Sequence, residues 1–169
     1  MTRVVLWSMV TVFFVTLVES TILARLAFLP AVPDLVLLIV VWVSIMNGGT
    51  AGATTGFVSG LILDFISAAP IGLNALTKSV TGFIGGRLSG SFNMNRLSLP
   101  MFVAAVATAA KALLVFLASL FFGSGIAAYG LADARFWWEI VINSLCAPPV
   151  FALLSLFPSL YVAGIGDTQ

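Results

Sequence analysis

The chain has 169 residues, 61% hydrophobic and 8% charged, with seven Lys/Arg against six Asp/Glu and a net charge of +1. A soluble domain carries roughly 25% charged residues, so this composition cannot coat a water-exposed surface and predicts an all-α integral membrane protein. The absence of His removes the commonest general base and metal ligand, the single Cys146 excludes a disulfide framework, and the near-neutral balance without a basic cluster argues against nucleic acid as a partner.

A transmembrane helix needs about 20 mostly apolar residues, and six segments approach that length. The first, residues 4–23, lies between Arg3 and Arg25. Its long apolar core and the span that follows at once make it a retained helix, not a signal peptide. Pro30 and Pro33 punctuate the entry to the second, residues 31–46, and Asn47-Gly48-Gly49 makes a tight turn into the third, residues 50–68. Ala69-Pro70 separates the third from the fourth, residues 71–90. A polar stretch with Arg96 precedes the fifth, residues 99–122, and the longest loop precedes the sixth, residues 136–162. Pro148-Pro149 is expected to break or kink the sixth span and free carbonyls near mid-membrane. Trp137, Trp138 and Tyr161 read as interfacial anchors. Six spans make residues 1–169 a single transmembrane domain with no room for an extramembrane catalytic unit.

Glycines and charges fall in patterns. The third span carries Gly52, Gly56, Gly60 and Asp64 at steps of four, and the fourth carries Asn74, Lys78, Gly82, Gly86 and Gly90 at the same step. Residues four apart share a helix face, and small residues there let membrane helices approach closely. Asp64 and Lys78 flank the hairpin at depths expected to differ by only a few Å, so they are expected to pair. Glu19, Glu139 and Lys111 also lie within spans, with Asn143 one turn beyond Glu139 on the same face. A charge inside a membrane is costly and marks a functional site by default. Glu19, Asp64, Lys78, Lys111, Glu139 and Asn143 are therefore read as one candidate polar pocket opening outward. It calls for no cofactor and no metal.

Catalytic motifs fail on inspection. The stretch from Gly72 to Ser79 lacks the second glycine and the strand of a phosphate-binding loop. Gly56 to Gly60 and Gly86 to Gly90 place their serines one position off a nucleophile elbow. A membrane enzyme would need a nucleophile–base pair, and none is visible.

Residues 30–76 carry a familiar pattern: Pro33-Asp34-Leu35 opening a Leu/Val-rich span, a glycine turn, Gly56-Phe57, Gly60 through Asp64 and Ser67, then Pro70-Ile71-Gly72-Leu73. This resembles the rod shape-determining protein MreD family. The resemblance implies a non-enzymatic component of the bacterial cell-elongation machinery. It would bind the single-span protein MreC and cooperate with the MreB filament, the glycosyltransferase RodA and a class B penicillin-binding protein in lateral peptidoglycan synthesis. It also implies a multi-pass protein of the inner membrane, in contact with lipid and open to association with a second copy. The family is similar in fold to the substrate-binding S components of energy-coupling-factor vitamin transporters, which implies an S-component-like six-helix bundle and supplies the alternative function. S components commonly carry small residues at steps of four on the first span for their coupling protein. The Trp/Phe/Val-rich first span here favours the shape-determining reading.

Lys/Arg in short loops set orientation. An inside N-terminus puts Arg3, Arg87 and Arg96 in the cytoplasm against Arg25 and Arg135 outside, and six spans return the C-terminus to the cytoplasm. Reporter fusions after Ser124 and Gln169 should then report opposite sides of the membrane. The same side from both would mean the span count is wrong.

Overall fold

The computed structural model describes residues 2–21, 31–67, 70–87, 98–122, 126 and 132–162. Among these, all regular structure is helical: α1 (Thr2–Thr21), α2 (Leu35–Asn47), α3 (Gly49–Ile66), α4 (Leu73–Gly86), α5 (Ser98–Phe122), α6 (Ala134–Ser155) and the single turn α7 (Pro158–Tyr161). In lipid a helix satisfies its own backbone groups, which is why apolar segments take this form.

Four of the helices, α1, α3, α5 and α6, are long and apolar enough to cross a membrane. α2 and α4 are shorter than the spans expected from the sequence. α2 begins at Leu35, not near Ala31, because Asp34 caps it: the Asp34 carboxylate accepts from the Leu37 N–H at 2.8 Å. Its 13 residues extend about 20 Å at ~1.5 Å per residue, against a hydrocarbon core of ~30 Å. Such a helix is tolerated because it does not meet lipid. Every residue from Val36 to Ile45 is buried, and α1, α3, α4, α5 and α6 all pack against it. A helix that is apolar all round belongs in the centre of a bundle, and α2 occupies it.

The outer helices show the complementary pattern. α1 buries Val4, Ser8, Val12 and Thr16, four apart along one stripe, and leaves Leu6, Phe13 and Phe14 exposed. Phe65, Phe102, Leu113, Phe121 and Leu145 are likewise exposed on their helices, as lipid-facing side chains are.

α3 and α4 form the closest pairing. The turn into α3 passes through Gly48 at φ +87°, and α4 starts after Gly72 at φ +96°, a region that glycine enters without penalty. Gly52 stacks on the backbone of Gly82, Gly56 on the carbonyl of Lys78, Gly60 on Asn74 and Ala75, and Gly86 on Gly48 and Gly49. Each step of four along α3 is matched by a step of four back along α4. Gly90 lies outside the described residues, and α4 ends at Gly86.

Two sequence expectations are corrected in the C-terminal part. Pro148 and Pro149 do not break the sixth segment, since α6 runs unbroken through both. The interruption comes later: α6 ends at Ser155 and α7 starts at Pro158. Tyr161 is not an interfacial anchor. It is buried, its ring meets Trp42 edge-on at 6.0 Å, its hydroxyl lies 2.5 Å from Thr11 Oγ1, and its carbonyl accepts from Asn47 Nδ2 at 2.6 Å. Trp137 and Trp138 are exposed.

A Cβ at Gly56 would collide with the Lys78 carbonyl, and backbone cannot move aside as a flexible side chain can. Gly56→Ala should therefore lower the yield of folded protein in detergent, whereas Leu113→Ala on the exposed face of α5 should leave it unchanged. Size-exclusion profiles of the two variants provide the comparison.

Candidate functional site: a buried charge cluster around the start of α2

The site is built on the first turn of α2. A helix N-terminus presents N–H groups without partners in its own helix, and here side chains from three elements take up donors of this turn. Glu19 of α1 accepts from the Leu35 N–H at 2.5 Å, Asp34 accepts from Leu37, and Asn143 of α6 accepts the Asp34 N–H on Oδ1 at 2.8 Å. Asn143 is fully buried and donates its Nδ2 to Thr108 Oγ1 of α5 at 3.0 Å. Thr108 in turn donates to the Ala104 carbonyl at 2.8 Å.

The Asp34 carboxylate joins two lysines. Lys78 of α4 donates to both its oxygens, at 2.9 and 2.7 Å, and Lys111 of α5 donates to Oδ2 at 2.7 Å. Lys111 reaches further, to Glu139 Oε1 of α6 at 2.7 Å. The Lys78 side chain is only 1% exposed, while those of Asp34, Glu139 and Lys111 are 12%, 10% and 16% exposed. The result is a chain of ion pairs, Lys78–Asp34–Lys111–Glu139. Through it and Glu19, the helices α1, α4, α5 and α6 each place one charged group around the start of α2.

Of the six residues read as a polar pocket, Glu19, Lys78, Lys111, Glu139 and Asn143 come together here. Asp64 does not. Its carboxylate accepts from the backbone N–H groups of Gly72, Asn74 and Ala75 and from Asn74 Nδ2, all at 2.9–3.1 Å. It closes the hairpin by capping α4, where a carboxylate also meets the positive end of the helix dipole. The expected Asp64–Lys78 pair fails on register. Lys78 stands opposite Gly56, eight residues before Asp64 and so about 12 Å away along α3 at ~1.5 Å per residue.

Asp34 and Thr108 were absent from the sequence-derived pocket. Asp34 falls at the entry of the second span, residues 31–46, which Pro30 and Pro33 punctuate, and its place in the Pro33-Asp34-Leu35 pattern is a signal. Thr108 gave none, because a mid-helix threonine ordinarily bonds to its own helix. The ladder glycines Gly52, Gly56, Gly60, Gly82 and Gly86 lie between α3 and α4 and not in the cluster.

In the described residues the arrangement is a clamp. Ion pairs join Lys78, Asp34, Lys111 and Glu139, and Glu19 and Asp34 accept from the helix terminus they surround. The sequence model described as rod shape-determining protein MreD matches residues 1–157 of the chain. No curated protein and no solved structure matches it.

Removing one partner of a buried ion pair typically costs ~3–5 kcal/mol, and removing both costs much less than twice that. Asp34→Asn and Lys78→Met should each lower the thermal unfolding midpoint sharply, and the double variant should fall well short of the sum. Lys78→Met combined with Asp64→Asn should instead be additive within about 0.5 kcal/mol, as for residues that share no partner. Coupling of Lys78 to Asp64 rather than to Asp34 would contradict the geometry.

Proposed function

We propose, from the premise that this chain belongs to the rod shape-determining protein MreD family, that it acts in rod shape determination as a non-enzymatic membrane scaffold. The observation that carries this reading is the family match over residues 1–157, which takes in helices α1 to α6. In this reading the chain sits in the bacterial inner membrane with both termini in the cytoplasm. It binds MreC, and through that contact supports MreB, RodA and a class B penicillin-binding protein in lateral peptidoglycan synthesis.

The structure supports a scaffold in two ways. The ion pairs around Asp34 tie α4, α5 and α6 to the start of α2. The described residues lie almost wholly in membrane-type helices, so contact with other proteins has to be made through lipid-facing sides and short loops. The glycine ladders, which are natural candidates for close helix contact, are already occupied by each other. A partner helix is therefore received on another face.

Depletion of the chain in its host should convert rods to rounded cells, and an affinity-tagged copy should co-purify MreC from detergent-solubilised membranes. Lys78→Met should reduce both the amount of chain and rod shape together, since it acts through folding. Rods that persist after depletion would refute the reading.

A further inference from the structure

α6 combines an exposed stripe with a defect in its own hydrogen bonding. Trp138, Val141, Leu145, Pro149 and Leu153 run down one side of the helix and are all exposed, with Leu145 at 61% and Leu153 at 60%. The opposite side buries Glu139, Asn143, Ala147, Phe151 and Leu154 against the bundle. Pro148 and Pro149 sit inside the unbroken helix, and proline has no N–H. The carbonyls of Ser144 and Leu145 thus lose the donors that the helix would supply four residues on. Leu145 and Pro149 lie on the exposed stripe, and Ser144 and Pro148 beside it are part-exposed, so both freed carbonyls fall on or beside the exposed side of α6.

A carbonyl in hydrocarbon is costly to leave without a donor, and neighbouring helices or polar side chains are the usual remedy at membrane prolines. Lipid tails cannot donate. The exposed side of α6 is therefore electrostatically one-sided: an apolar stripe with partial negative charge at one level, complementary to an apolar helix with a donor at that level.

We infer that the Val141–Leu145–Pro149–Leu153 side of α6 is the seat of a partner's single membrane-spanning helix, one that presents a hydroxyl, amide or ammonium donor to the carbonyls freed by Pro148 and Pro149. The inference rests on the proposed scaffold function and assigns its contact face. It also accounts for two consecutive prolines in a helix that continues through them: they leave the helix intact and turn its backbone into an acceptor.

The experiment uses the full chain co-expressed with MreC. A photo-crosslinking residue at Leu145 should link to the membrane-spanning segment of MreC, whereas one at Phe121 on α5 should not. The Pro148→Ala/Pro149→Ala double variant restores both N–H groups to α6. It should accumulate at least as well as the unmodified chain yet retain about tenfold less MreC, as expected when two interhelical hydrogen bonds together worth ~1.4 kcal/mol are lost. Leu145→Trp, which adds bulk to the same stripe without touching the prolines, should also release MreC from a chain of normal abundance. Undiminished MreC in both variants, or crosslinks from Leu145 only to lipid or to a second copy of the chain, would overturn the inference. If the unmodified chain retains no MreC, the scaffold reading itself fails, and that control tells the two failures apart.

Discussion

Two ammonium groups converge on the Asp34 carboxylate, and the central helix begins where they meet. Lys78 and Lys111 both lie within 2.7 Å of Asp34 Oδ2, a convergence that only a low-dielectric interior makes worth its desolvation cost. Glu19, Asp34 and Glu139 outnumber the two lysines. The positive end of the α2 dipole supplies compensation where Glu19 and Asp34 accept from its first N–H groups. Charge balance is thus shared between side chains and backbone. Every helix bordering α2 except α3 contributes a charged or polar group to that balance.

The contribution of α3 is geometric. Its glycines bring the α4 backbone into direct contact, and that contact sets how far down α4 Lys78 is found. A slip of one four-residue step would lift the ammonium by about 6 Å at ~1.5 Å per residue, beyond reach of Asp34. Asp64 opposes the slip, because its four hydrogen bonds hold the first turn of α4 at a single height. The hairpin is in this sense the ruler and the cluster is what it measures. The far end of α2 is fastened separately, by Tyr161 against Trp42 and Thr11.

The sequence disclosed which residues were unusual for a membrane better than which of them would meet. Charges in apolar runs stand out whatever the fold, so Glu19, Lys78, Lys111, Glu139 and Asn143 were legible. Depth counted from a turn was a poor guide to the partner of Lys78, because an eight-residue difference along two antiparallel helices is invisible until their register is known. Asp34 was hidden by the prolines before it, which mark the entry to a span but not that this entry lies inside the bundle. Pro148 and Pro149 misled in the opposite direction. The local rule says that a helix breaks or kinks there, while α6 runs on through both with Asn143, Ala147 and Phe151 buried against the core. The shortness of α2 was also unreadable, since an apolar run does not say whether it faces lipid or other helices.

The position of the cluster along the chain has a consequence for how the protein is made. Synthesis delivers the chain from its N-terminus, so Glu19 and Asp34 reach the membrane before either lysine does. α4 then brings Lys78, α5 brings Lys111, and α6 brings Glu139 and Asn143 last. The early carboxylates are born as a debt of negative charge that later helices discharge one at a time. The α3–α4 hairpin, whose contacts are all local, is complete as soon as it emerges and arrives with its lysine already at the correct height. The innermost helix is therefore among the first to be synthesised and the last to be fully enclosed, and biogenesis closes inward upon Asp34.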